Sequence, residues 1–302
     1  MLQDRIPPEM KDVIISQNPG SGSSDKGALV QRLAEQLQRL ALTPRIMTNI
    51  DQVIELAETQ IQQGVLRAVV AAGGDGTVSL LANRLPANTP LAIFPLGTEN
   101  LLAKYLKVTS DPVLVARMIH AGATAQFDAG RANGKLFLVM ASCGFDAEVV
   151  QRLHSTRTGH IQHWSYAKPI AAAIGHYRYP QISMWIDEQT KPVRGKWAFI
   201  FNVPRYAMNL PIVPDADSQD GFLNLCTFRG GNLFRGLFYL GAVLLNQHRR
   251  WRASHLCRFK RIRLESDEPV PYQLDGDPGG VLPLEIVVQP GYLRLIVPSG
   301  AD

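Results

Sequence analysis

The stretch Val70-Ala71-Ala72-Gly73-Gly74-Asp75-Gly76-Thr77-Val78 decides how this 302-residue chain folds. An apolar run that breaks into glycines reads as a buried strand entering a tight turn, with a helix to follow. Bare glycine amides can approach an oxyanion, and the helix start adds the positive end of its dipole. Gly73, Gly74, Gly76 and Thr77 are therefore a candidate phosphate cradle. Asp75 would repel a phosphate. Its carboxylate makes sense as a ligand to a divalent metal, or to water on that metal, carried in with the phosphate. The plainer reading makes the glycines a strand-to-helix turn and Asp75 an N-cap.

Two further loops share this grammar. Val13-Ile14-Ile15 runs into Asn18-Pro19-Gly20-Ser21-Gly22-Ser23-Ser24, and a helix with Leu29, Leu33, Leu37 and Leu40 on one face follows. The strand beginning at Leu91 ends in Pro95-Leu96-Gly97-Thr98-Glu99-Asn100, before a helical stretch holding Leu101, Leu102, Lys104 and Leu106. In an open parallel sheet such loops leave from one edge, where they can line a single crevice.

Read together, the three loops resemble the catalytic domain of the diacylglycerol kinase family, soluble bacterial lipid kinases related to sphingosine and ceramide kinases. The late Asp220-Gly221 and Asp275-Gly276 fall in the same order, so the likeness runs from about Asp12 to Pro298. Gly-Gly-Asp-Gly-Thr by itself is shared with NAD kinases, and the other stretches narrow the choice.

Composition agrees with a folded, soluble enzyme. The length favours two domains. Charged residues at 19% and apolar ones at 46% are ordinary for a globular chain, which argues against disorder. Cys143, Cys226 and Cys257 are far apart and odd in number, against a disulfide framework or zinc site and for a reducing compartment. Met1 to Lys11 carries no basic-then-apolar leader, and Leu233–Leu245 is too short to span a bilayer, so a cytoplasmic protein without a transmembrane segment is expected.

The first part alternates strands (near 13, near 45, 66–72, 91–94) with helices (25–41, 51–63, 78–85, 99–107, 111–121). This predicts an α/β fold, a doubly wound parallel-sheet nucleotide-binding domain over 1–128. From there the pattern changes. Asn133-Gly134 between apolar runs marks a hairpin, and strands are predicted at 181–187, 196–203, 222–228, 256–265 and 283–297, with helices near 146–153, 163–177 and 233–247. The second domain, 129–302, is expected to be a mostly antiparallel β-sandwich. By resemblance its last strand, about 289–302, packs back on the first domain.

The resemblance also implies roles. ATP would contact Asn18, Pro19, Gly20, Ser21 and Gly22, then Thr48, Gly73 to Thr77, and Thr98. Asp277 would be the proton acceptor, Asp75 and Asp128 would share a water and metal network, and Mg²⁺ would bind structurally at the Asp220 side chain with the carbonyls at Asp217 and Phe222. Plainer readings stand beside each: Thr48 as a strand terminus, Asp128 and Asp220 as turn residues, and 275–277 as a polar hairpin turn. Asp75→Ala is expected to abolish transfer and leave the fold intact.

Three departures from the family pattern are visible. Asp277 stands where the family has glutamate, withdrawing the carboxylate by about 1.5 Å. Glu99 replaces a glycine and is a candidate helix cap, and Leu101 replaces an aspartate. Side chains also replace glycines after Asn202.

The net charge of +5 is concentrated in Arg249, Arg250, Arg252, Arg258, Lys260, Arg261 and Arg263, interleaved with Trp251 and Phe259. That run reads as a solvated face or as a peripheral contact with anionic membrane, where each basic residue adds about 1 kcal/mol. Nucleic acid is not an expected partner, and a homodimer is left open. The resemblance as a whole implies an ATP- and Mg²⁺-dependent lipid kinase with diacylglycerol as leading acceptor. The alternatives are an NAD kinase-like enzyme and a non-catalytic lipid- or nucleotide-binding protein.

Overall fold

The computed structural model describes residues 4–17, 24–155, 177–204, 212–232 and 254–299. The chain divides into two compact units, Met1–Asp128 with Pro290–Asp302, and Ala129–Gln289.

The first unit begins with β1 (Asp4–Arg5) and β2 (Asp12–Gln17), then alternates α1 (Ser24–Arg39), β3 (Thr43–Met47), α2 (Ile50–Gln62), β4 (Leu66–Gly73), α3 (Asp75–Arg84) and β5 (Pro90–Pro95). Two helices follow, α4 (Leu101–Tyr105) and α5 (Pro112–Ala121). Every residue of β4 and β5 is buried, which is why both read as unbroken apolar runs rather than alternating ones. The parallel order is β3-β2-β4-β5, and the end of β17 (Leu284–Ile296) adds beside β5 through Arg294↔Pro90 and Leu295↔Leu91.

From β2 the chain steps outward to β3 and then returns to the other side with β4. The order therefore reverses between β2 and β4, the point where a parallel sheet is expected to bind ligand at the carboxyl ends of its strands. The Gly73–Thr77 stretch leaves β4 at that point. Below the opposite end of β4, buried Arg67 donates to the carbonyls of Ile119 (2.8 Å), Pro7 (3.0 Å), Met10 (3.2 Å) and His120. Helix ends follow local chemistry. Asp111 caps α5 through the Val113 amide at 2.8 Å, and Gly122 stops it at φ +63°.

The second unit carries β7 (Lys135–Phe137), β8 (Met140–Cys143), α6 (Phe145–Ser155), β9 (Ile182–Ile186), β10 (Val193–Gly195), β11 (Trp197–Phe201) and β12 (Leu223–Phe228). Then come β13 (Ser254–Phe259), β14 (Arg261–Glu265), β15 (Pro271–Leu274) and β16 (Asp277–Val281), while β6 (Ala123–Ala132) and β17 contribute residues to both units. The Asn133-Gly134 turn joins β6 to β7 with both residues at positive φ, 45° and 90°, the backbone a two-residue hairpin requires.

Two antiparallel layers form here, β10-β9-β14-β17 and β13-β12-β11-β8-β15-β16. Ile182, Met184, Ile186, Ile262, Leu264 and Ile286 from one and Ala141, Ile200, Leu225 and Phe259 from the other make a shared core, the packing of a sandwich. The predicted strand 256–265 is in fact two, because the buried parity breaks between Phe259 and Ile262. Lys260 and Arg261 both face solvent at the break, their amides donating to Asp187 Oδ1 at 2.9 Å. The helices expected over 163–177 and 233–247 lie almost wholly outside the described residues. Among the described residues no helix is long and apolar enough to cross a membrane.

Candidate functional site

α3 starts at Asp75, three residues earlier than predicted, with Gly74 as its N-cap and no side chain capping its first turn. The Gly73–Thr77 loop and the third loop, Gly97–Asn100, meet backbone to backbone. A methyl group on Gly97 would lie 2.4 Å from the Gly74 Cα and 2.7 Å from Asn100 Oδ1, and the Leu96 amide donates to the Gly73 carbonyl at 2.9 Å. Asn100, at φ +49°, closes the third loop on itself by accepting from the Gly97 amide (3.1 Å) and donating to the Gly97 carbonyl (2.8 Å).

Asp75 ties the two loops together. Its carboxylate accepts from the Leu101 amide at 2.9 Å and the Leu102 amide at 3.1 Å, so it caps α4 rather than α3. Burial raises its carboxyl above the ordinary aspartate range, and the two amides pull the other way. Glu99 does not cap the helix. It pairs with Lys104 at 3.6 Å.

The other candidates separate by exposure. Thr77 is buried, with its hydroxyl against the place a Gly73 side chain would take, whereas Gly76, Thr98 and Thr48 are exposed. Thr48 directly precedes Asn49, the N-cap of α2. Asp128 is buried and accepts from the Gly291 amide at 2.8 Å. Asn18 to Gly22 lie outside the described residues.

In the second unit, Asp275 and Gly276 form the two-residue turn between β15 and β16, at φ +51° and +87°, with Leu274 paired to Asp277. The Asp275 carboxylate accepts three amides, from Leu138 (2.7 Å), Val139 (2.9 Å) and Met140 (3.0 Å), and so anchors the turn. Buried Gln273 accepts from the Gly276 amide at 2.8 Å and donates to Ser142 Oγ at 3.0 Å, and Ser142 in turn donates to Asp146 on α6 at 2.5 Å. Asp277 is half-exposed beside His154, with Nε2 3.3 Å from Oδ1. Sequence reasoning missed His154, which carries no motif. It also missed the anchoring role of Asp275, for which the Asp-Gly turn signal was available.

Both halves of the chain match family models, residues 12–132 the diacylglycerol kinase catalytic domain and residues 139–297 the YegS C-terminal NAD kinase beta sandwich-like domain. The chain belongs to the diacylglycerol kinase catalytic domain family. A diacylglycerol kinase of Bacillus subtilis is 24% identical over 237 residues, which cover 76% of this chain and 78% of that one. The fold is shared with a diacylglycerol kinase of Bacillus anthracis (TM-score 0.68, 16% identity, 95% and 97% covered). It is shared also with an Archaeoglobus fulgidus NAD kinase solved in complex with ATP (TM-score 0.55, 13% identity, 96% and 94% covered).

The structural Mg²⁺ that family resemblance implies would sit in the 217–222 loop. Asp217 Oδ1 accepts from the Gln219 amide at 3.1 Å, and Asp220 Oδ1 from the Phe222 amide at 2.9 Å. Asp220 Oδ2 is already met by Arg258 at 3.1 Å, and that guanidinium sits 5.0 Å from the centre of the Phe222 ring. A cation on Asp220 would have to displace Arg258 from Oδ2, so that side chain as it stands does not fit one. Among the described residues no group of three or more His, Cys, Asp or Glu could hold a metal ion. Wild-type melting temperature is accordingly expected not to change between millimolar Mg²⁺ and EDTA, whereas Arg258→Ala should gain a Mg²⁺-dependent rise. Calorimetry in both buffers checks this, and a wild-type melt that drops in EDTA counts against it.

The basic run looks different in the fold. Phe259 is fully buried and belongs to the core, not to an aromatic-studded surface. Arg258, Arg261 and Arg263 pair with Asp220, Glu285 and Glu265, and Lys260 lies over Phe222. Residues 249–253 lie outside the described set. Much of the described excess charge is thus neutralised within this diacylglycerol kinase family member.

Proposed function

We propose that this protein is an ATP- and Mg²⁺-dependent lipid kinase that transfers the γ-phosphate to a lipid hydroxyl, with diacylglycerol as the first acceptor to try. The observation that carries the reading is the contact of Gly74 with Gly97 at the uncapped start of α3, in a chain that matches the family over both halves. Amides of Gly73 to Gly76 and the α3 dipole would hold the phosphates, and Asp75, through α4, keeps the neighbouring loop in place.

Phosphoryl transfer is mostly positioning and charge neutralisation. Mg²⁺ arriving with ATP would neutralise phosphate charge, with Asp75 and Asp128 as the residues to hold it through water. The lipid oxygen forms its bond to the γ-phosphorus as the bond to the ADP oxygen breaks, and the hydroxyl proton passes to Asp277. A lipid acceptor implies work at a membrane surface on the cytoplasmic side.

The second reading, NAD kinase-like transfer, is motivated by the shared fold and the Gly-Gly-Asp-Gly-Thr stretch. Radiolabelled ATP offered side by side to a mixed lipid panel in micelles and to NAD, with chromatography of the products, separates the two. Label in phosphatidic acid or another phospholipid is expected. Label in NADP alone would overturn the lipid reading.

A further inference from the structure

The shortened carboxylate at Asp277 has a neighbour in space that carries no motif of its own. α6 runs from Phe145 to Ser155, and its last turn brings His154 Nε2 to 3.3 Å from Asp277 Oδ1. Nε2 faces a carboxylate oxygen in that contact, a partner suited to a ring N–H. The other basic side chain in that turn, Arg152, is committed to Glu148 at 2.6 Å.

The remainder of the turn is fixed from beneath. Three amides hold Asp275, Gln273 holds Gly276, and the Gln273–Ser142–Asp146 bonds fasten β15 to the first turn of the same helix. One helix thus grips the hairpin at two places, near its start through Asp146 and near its end through His154. The side chains of Asp277 and His154 are 48% and 30% exposed, so solvent screens the pair and it adds little to stability. What a single donor can do at such a position is select one rotamer of a short carboxylate. Among the described residues Asp277 Oδ2 has no protein partner.

We infer that His154 is a positioning residue: its imidazole fixes Oδ1 of Asp277 so that Oδ2 is presented to the acceptor hydroxyl, standing in for the reach of the longer family glutamate. This rests on the reading of Asp277 as the proton acceptor. The proton leaves the lipid hydroxyl for Oδ2 while His154 keeps its own, so no further reactant is needed.

The test is a cycle on the full-length enzyme with ATP and the lipid identified by the panel assay. His154→Ala is expected to lower kcat about 10- to 100-fold with KM for ATP and lipid unchanged. His154→Gln, whose amide can donate to the same oxygen, should recover most of that loss. In an Asp277→Glu background the His154→Ala loss should shrink to within about threefold, because glutamate reaches without help. Nitrogen-15 spectra of the His154 ring give a reading independent of turnover, with the Nε2-protonated tautomer expected in wild type and altered in Asp277→Ala. An active wild type whose kcat is untouched by His154→Ala, or a ring spectrum indifferent to Asp277→Ala, overturns the inference alone. A wild type inert towards every lipid overturns the kinase reading and, with it, this role.

Discussion

Replacing Asp75 with alanine is expected to lower lipid phosphorylation by at least about a hundredfold and to destabilise the first unit as well, by about 1–3 kcal/mol. The second effect follows from the structure and corrects the expectation that the fold would be indifferent. The Leu101 and Leu102 amides at the start of α4 lose their acceptor, and at a five-residue helix there is little else to hold that turn. The third loop then loosens where it touches Gly74. Asp75→Asn separates the two contributions, since its amide oxygen can still accept from one of these donors while the charge is gone. It should melt closer to wild type than the alanine variant does and still transfer poorly.

A pH series adds a check with a definite sign. Burial raises the Asp75 carboxyl, so the native protein keeps that proton to higher pH than the unfolded chain. This group therefore favours folding below the ordinary aspartate range and withdraws that support as pH rises through its native value. Asp75→Asn should remove this slope from a stability-versus-pH curve measured by urea titration.

Gly97→Ala is expected to be nearly as damaging through a different cause. The added methyl would sit 2.4 Å from the Gly74 Cα, a backbone atom that cannot swing aside, and 2.7 Å from Asn100 Oδ1. Relieving the overlap means parting the two loops, at about 1–3 kcal/mol for overpacking of this kind. ATP affinity measured by calorimetry should fall at least about tenfold. Gly76→Ala is the matched control for stability, because nothing lies within 4 Å of its new methyl. Equal melting temperatures for the two variants would show that the Gly74–Gly97 contact is not a constraint.

The parallel half of the fold was legible because its strands are buried on both faces. Leu66–Gly73 and Pro90–Pro95 therefore stand out as continuous apolar runs, and caps such as Asp111 and Gly122 punctuate the helices. The hairpin at 271–281 was not read as a pair of strands. β16, Asp-Pro-Gly-Gly-Val, holds one β-branched residue and a proline, tolerable only because β16 ends its sheet. The site was half legible. Glycines announce close backbone approach, so the 73–77 and 97–100 loops could be paired from sequence. The partners of a carboxylate cannot be read that way: Asp75 bonds to amides 26 and 27 positions away, and Asp275 to amides up to 137 away. For the same reason Arg258 beside Asp220 and His154 beside Asp277 became visible only in three dimensions.

The most direct test of the central claim, that the glycine turn after β4 holds the nucleotide's phosphates, is a crystal structure with Mg²⁺ and a non-hydrolysable ATP analogue. Phosphate oxygens within hydrogen-bonding distance of the Gly73–Gly76 amides, beside Gly97, are predicted. A triphosphate bound elsewhere, with those amides facing only solvent, would contradict the account.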